Sequence, residues 1–300
     1  MIDVLKDMAL NSNELHVDVE FLIDDFIPKK MITMFYADGG NGKTWLSYGV
    51  ASYLCSNAVC KELYYLDFDN PIVTLKERNV DNLLIDKYSH LNYIQRSKLK
   101  VAPIELIKGL SDNAVAHAYD DMVFIIDSIR NLDYIKDDKK AMELMNMLMN
   151  IREAGATIIL VHHANKDGKN YEGSNNIKNS LDCMFKLTKL PSPEGKLHLG
   201  LETKKERGGV KDCAFRVDTD TLELYPIELQ EASMNPREKD FVESIKKILK
   251  QNPDGMLQGK LLSAIGSSST DKTTKAMLDK FENRFYMKEE QGNRKIYKII

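Results

Sequence analysis

Cysteine is scarce in this chain: Cys55, Cys60, Cys183 and Cys213 are the only four in 300 residues. So few, so scattered, they exclude a disulfide scaffold and a zinc site, and buried thiols are the expected state. Long apolar runs are also missing. The longest, residues 122–126 and 157–161, have the length of buried strands and fall far short of the ~18–20 residues of a spanning helix. The opening segment, MIDVLKDMALNSNEL, is acidic and polar and has no secretory apolar core, so the expected location is cytoplasmic, with no membrane partner. Charge of one sign is lacking too, with 42 Lys and Arg against 45 Asp and Glu. A hydrophobic share of 43% and a charged share of 29% exclude collagen, coiled coil and wholesale disorder. The length suits a large domain followed by a small one.

The charge is unevenly placed. Residues 236–300 carry 14 basic and 9 acidic side chains, a balance of +5, which leaves −8 on the rest. A basic tail behind an acidic body fits nucleic acid at the tail, and fits a solvated lysine-rich surface equally well.

Apolar patterning predicts strands at 31–36, 63–66, 99–103, 122–126 and 157–161, and further strands with antiparallel pairing at 181–187, 197–203 and 214–218. Helices are expected over 43–54, most of 72–87, and 141–154. Strands alternating with helices give an α/β fold with a mostly parallel sheet. Composition changes near 228–236. Beyond it come helices at 237–250, 257–264 and 271–281 and a strand pair at 285–288 and 294–299, the order of a winged helix-turn-helix. The expected domains are therefore 1–230 and 236–300.

ADGGNGKT, residues 37–44, follows a strand and opens a helix. It fits G-x-x-x-x-G-K-[ST] except that Ala37 holds the first glycine position. Glycines let backbone N–H groups close on phosphate oxygens, and a helix start adds unpaired N–H groups and a positive dipole end. The nucleotide-binding set is Gly39, Gly40, Asn41, Gly42, Lys43, Thr44 and Trp45. Lys43 meets the β/γ-phosphates, and Thr44 offers its hydroxyl to Mg²⁺. Asp127, at the tip of the 122–126 strand, is the second expected metal-shell residue.

The segments FLIDDFIPKKMITMFYADGGNGKT, YLDFDN, FIIDSIRNL, VHHANKDG and YEGSNNIKNSLDCMF occur in the order found in RecA-type ATPases. They most resemble the RepA-like hexameric replicative helicases of plasmids and phages, cousins of DnaB-type helicases, over about residues 19–225. The resemblance implies ATP and Mg²⁺ as cofactors and a homo-hexamer or other ring. It implies a water-polarising carboxylate at Asp69, with Asp67 in reserve, where relatives commonly carry Glu. It implies a γ-phosphate sensor at His162 or His163. Lys205 and Arg207 resemble the K-x-R-N-G segment whose Lys and Arg reach the neighbouring subunit's γ-phosphate; strand alternation puts the two on one face. Two polar loops, 131–140 with Lys136 and 165–176 with Lys166 and Lys169, correspond to channel loops holding single-stranded DNA.

In the tail, Lys272 and Lys275 open the expected recognition helix, and Arg294 and Lys295 lie on the wing, all as DNA contacts. Three functions follow. The first is a ring helicase on single-stranded DNA in plasmid or phage replication. The second is a nucleotide-switched DNA-binding regulator or repair mediator. The third is a scaffold that recruits a primase or initiator protein.

Overall fold

The computed structural model describes residues 8–132, 135–165, 168, 170–292 and 294–300. The chain divides into two units, Met1–Ala232 and Ser233–Ile300.

In the first unit, a small hairpin of β1 (Phe21–Ile23) and β2 (Ile27–Pro28) precedes β3 (Ile32–Ala37) and α1 (Lys43–Ser56). Then come β4 (Glu62–Asp67), α2 (Ile72–Glu77), β5 (Leu91–Gln95), α3 (Pro103–Asp112), β6 (Met122–Asp127), α4 (Asp138–Glu153), β7 (Thr157–His163) and α5 (Asn175–Ser180). The unit ends with β8 (Cys183–Leu190), β9 (Lys196–Lys205), β10 (Cys213–Asp218), β11 (Leu224–Pro226) and α6 (Leu229–Ala232). Its described residues build a nine-stranded sheet in the order β11-β10-β9-β8-β3-β7-β6-β4-β5. The run from β8 to β5 is parallel, and β8 to β11 pair antiparallel. This is a mostly parallel α/β sheet of the RecA-like P-loop kind.

Side-chain alternation sorts the central strands between two cores. Phe35, Val123, Ile125, Ile159 and Val161 face α1, packing with Leu46, Val50 and Leu54. Ile32, Met34, Phe124, Ile126, Ile158 and Leu160 face α4, packing with Leu144, Leu148 and Ile151. Each such buried side chain contributes about 1.5–3 kcal/mol relative to exposure. The same alternation decides which strand-tip side chains face α1: Asp67, Asp127 and His163 share the parity of that core, whereas His162 falls on the other side.

Two sequence expectations fail near the β5 edge of the sheet. Residues 99–103 are not a strand; the edge strand is β5, and α3 starts at Pro103. The helix expected over most of 72–87 stops at Glu77, because Asn79 turns left-handed at φ 56° before a short π-helical turn at Asp81–Ile85. Among the described residues, no helix is long and apolar enough to cross a membrane.

The second unit runs α7 (Pro236–Lys250), β12 (Met256–Leu257), α8 (Gln258–Ala264), α9 (Lys272–Lys280), β13 (Tyr286–Gln291) and β14 (Arg294–Ile299). Its sheet is antiparallel in the order β12-β14-β13. Val242, Ile245, Leu249, Leu261, Leu262, Leu278, Tyr286 and Tyr297 form its own core. α7 is held at its start by a reciprocal Asn235–Glu238 capping box.

Candidate nucleotide site

β3 is apolar apart from Thr33 and the Tyr36 hydroxyl, and ends at Ala37, an extended strand residue where a β-carbon costs nothing. The chain then turns through Gly40 (φ 77°) and Gly42 (φ 87°), left-handed positions that favour glycine. Around Gly39 and Gly40 there is open space for a ligand to approach the backbone. Gly42 caps α1 without any side-chain acceptor, so the first helical N–H groups are left for an outside anion. This cradle fits polyphosphate.

Lys43 is 7% exposed, and its Nζ donates to the carbonyls of Ala37 (2.9 Å) and Asp38 (2.8 Å), spanning the loop it serves. Burial lowers its pKa, and the charges of Asp127, Asp69 and Asp38 oppose that. Asp127 ends β6 fully buried. Burial and the nearby Asp67 charge push its carboxyl up to about 6, against hydrogen bonds from Thr44 and Tyr65. The Thr44 hydroxyl thus donates to Asp127, which puts two oxygen groups of the kind that suit magnesium side by side. Among the described residues, no group of three or more His, Cys, Asp or Glu forms a metal site by itself. A magnesium ion here would complete its shell from phosphate oxygens and water.

The two aspartates after β4 differ. Asp67 is buried and saturated: it accepts from Tyr93 Oη (2.5 Å), the Asp69 and Asn70 backbone N–H groups (3.0 and 2.9 Å) and the Asn70 amide. It holds the turn. Asp69 is exposed at the tip, 3.6 Å from His163 Nε2 and accepting from Asn131 Nδ2 at 3.0 Å. The His163 contact, helped by Asn131, lowers its pKa to about 2. Of the two, Asp69 is the one a water molecule could meet.

His162 and His163 are likewise separated. His163 reaches Asp69 on the α1 side. His162 is fully buried, its Nε2 donating to the Glu172 carbonyl, with burial lowering its pKa to about 4. The Glu172 carboxylate pairs with Arg130 Nε (3.2 Å) and Lys136 Nζ (3.1 Å), and Ser174 N–H donates to the Ile135 carbonyl (2.8 Å). The two polar loops are therefore tied to each other, and Lys136 is paired. Lys166 and Lys169 lie outside the described residues.

Lys205 and Arg207 come together, but not at their own phosphate loop. Arg207 follows the end of β9 in a turn, so strand alternation does not govern it. Its Nη1 meets Asp182 Oδ1 at 3.1 Å. Asp182 also accepts from Arg152 (2.9 Å) and from the N–H of Ile32, the first residue of β3 (2.9 Å). Lys205 Nζ donates to the Lys178 and Asn179 carbonyls (2.7 and 2.8 Å). Ile32 and Ala37 are opposite ends of one strand, roughly 16 Å apart at ~3.3 Å per residue. The pair thus sits at the opposite end of the central strands from Lys43.

Sequence reasoning missed the tyrosines under the site. Tyr65 donates to Asp127 Oδ2 (3.1 Å) and meets Ser47 Oγ (2.5 Å), and Tyr93 meets both Asp67 and Tyr48. The Tyr65 and Tyr93 rings stack at 4.8 Å. Alternation in β4 signals Tyr65, but Tyr93 lies on the strand that sequence did not give. Trp45 packs on Tyr48, with the Arg78 guanidinium 5.6 Å from its ring centre, which joins α1 to the turn after Asp69. In the second unit, Lys272 and Lys275 lie in the first turn of α9 behind the capping Asp271, and Arg294 and Lys295 open β14.

No curated protein sequence matches the chain. Among solved structures, the flagellar accessory protein FlaH from Methanocaldococcus jannaschii is similar at 17% identity and a TM-score of 0.47, over 67% of this chain and 91% of that one. A model of the AAA domain family matches residues 11–169, more than half of the chain. On the phosphate loop, the sheet that carries it and this match, the chain belongs to the AAA domain family, as a RecA-like P-loop ATPase.

Proposed function

We propose that the protein hydrolyses Mg-ATP as a ring of identical subunits working on DNA, in the manner of a RepA-like helicase moving on single strands in plasmid or phage replication. One observation carries this reading. Lys205 and Arg207 lie at the opposite end of the central strands from Lys43, which supports a role toward a neighbour's γ-phosphate and, in this reading, makes hydrolysis depend on assembly. In this reading the loop N–H groups and Lys43 hold the β/γ-phosphates, and Thr44 and Asp127 hold the magnesium shell. Bound Mg²⁺ neutralises charge on the phosphates. Asp69 orients the attacking water, and His163 beside it senses the γ-phosphate. The loops bearing Lys136, Lys166 and Lys169 line the channel. The second unit is a winged helix, with Lys272, Lys275, Arg294 and Lys295 toward duplex DNA.

A second reading is a nucleotide-switched DNA-binding regulator that does not translocate. The Asp69–His163 contact favours it, since a carboxyl with a pKa of about 2 is a weak base and slow turnover suits a switch. Hydrolysis rate per subunit, measured against protein concentration with and without single-stranded DNA, tests the proposal. A rate that rises with assembly and with DNA, together with strand displacement, supports the motor. Assembly-dependent hydrolysis without displacement supports the regulator.

A further inference from the structure

The second unit has a concave feature that its recognition-helix reading does not use. β12 pairs with β14 through Leu257 and Ile296, which brings the first turn of α8 beside the start of β14. Between them lies a cleft of about 550 Å³ lined by Leu257, Gln258, Gly259, Lys260, Arg294 and Lys295. Three of these six are cations and none is acidic. Lys260, Arg294 and Lys295 are exposed, and none makes an ion pair among the described residues. On the adjacent hairpin, Glu289 pairs with Lys298 at 2.8 Å, and Glu290 stands opposite Lys295 in the strand register, 4.0 Å from Lys288. The start of α9 differs, because the Asp271 carboxylate, bonded to the Thr273 and Thr274 N–H groups, sits beside Lys272 and Lys275 and offsets their charge.

We infer that this cleft is a phosphate-backbone site for duplex nucleic acid, gripped by Lys260, Arg294 and Lys295. The inference rests on the DNA reading above and moves the main phosphate grip from the start of α9 to the cleft. The guanidinium of Arg294 supplies a planar fork for phosphate oxygens, and the flanking lysines supply point charges for its neighbours. No aromatic side chain lines the cleft, so it lacks the stacking platform by which proteins hold unpaired bases. A paired backbone is the nucleic-acid form that this chemistry fits.

The test uses the full chain and a short fluorescein-labelled duplex, with binding read by anisotropy over a salt series. The cleft variant is Lys260→Gln, Arg294→Gln and Lys295→Gln together, and the comparison variant is Lys272→Gln with Lys275→Gln. These side chains are exposed or partly exposed, and circular dichroism checks that both variants fold. The cleft variant is expected to bind at least tenfold more weakly, with the slope of log affinity against log salt shallower by about 2–3. The comparison variant is expected to lose less on both readouts. Duplex binding by the wild type that the cleft variant retains, with the same slope, overturns the inference and leaves the DNA reading standing. No duplex binding by the wild type overturns both. An equal loss on a single strand of the same sequence overturns the duplex assignment.

Discussion

His162 lets the core under the strand tip be probed through pH. Its ring is fully buried, its Nε2–H is committed to the Glu172 carbonyl, and its pKa falls from the ordinary 6.5 to about 4. The folded state therefore holds this imidazole neutral where an unfolded chain would protonate it. The stability this gives is fully present above pH 6.5 and is lost as pH falls toward 4. At about 1.4 kcal/mol per pH unit the whole loss is about 3 kcal/mol. The perturbation is His162→Gln, whose amide still donates to the carbonyl but does not titrate. Trp45, the single tryptophan, lies on α1 and reports the first unit by fluorescence. Denaturant unfolding of both proteins across this pH range gives a stability difference from which the other titrating groups cancel. That difference, wild type minus variant, is expected to shift against the wild type by about 3 kcal/mol between neutral pH and pH 4. A difference that stays flat refutes the assignment of His162 as a buried neutral donor.

Gly42→Ala forces a side chain onto φ 87° and sets its β-carbon 3.0 Å from Leu199 Cδ2. It should cost about 1–2 kcal/mol and remove the rise in melting temperature on adding Mg-ATP. Asp67→Asn and Asp69→Asn should separate cleanly. The first disturbs a buried acceptor and lowers stability by about 1–3 kcal/mol. The second leaves the melting temperature in place and lowers the hydrolysis rate by roughly 10²-fold or more, read by thermal melting beside steady-state kinetics. Arg207→Ala should retain nucleotide binding and lose hydrolysis. Mixing it with Lys43→Ala should recover activity, because one subunit supplies the loop and the other the arginine; a mixture as inactive as its parts removes the role in trans.

Much of the first unit was legible because its central strands are buried on both faces and short, and each ends where its chemistry starts. The phosphate loop follows directly from β3, and Asp127 closes β6. The two histidines are not separated in the sequence: the structure extends β7 through His163, and alternation within it then sends them to opposite faces. The edges were harder. β5 reads LNYIQ, with polar Asn92 and Gln95 on a strand bonded on one side only, so no apolar period marks it. The apolar residues near 99–103 carry the stronger strand signal, although Pro103 opens a helix. In 72–87 the only local mark of the break is Asn79 itself, a residue type that tolerates the left-handed turn ending a helix. Long-range pairs are the other blind spot. Glu172 gathers Arg130 and Lys136, and Asp182 gathers Arg152 and Arg207, from segments that only the folded sheet brings together.

The central claim is that this loop and its carboxylates hydrolyse ATP. The measurement that meets it most directly is the rate of Mg-ATP hydrolysis by the full chain beside Lys43→Ala. The account predicts turnover in the wild type that requires Mg²⁺ and vanishes in the variant. Turnover that survives in Lys43→Ala, or a wild type that binds Mg-ATP and never cleaves it at any protein concentration, contradicts it.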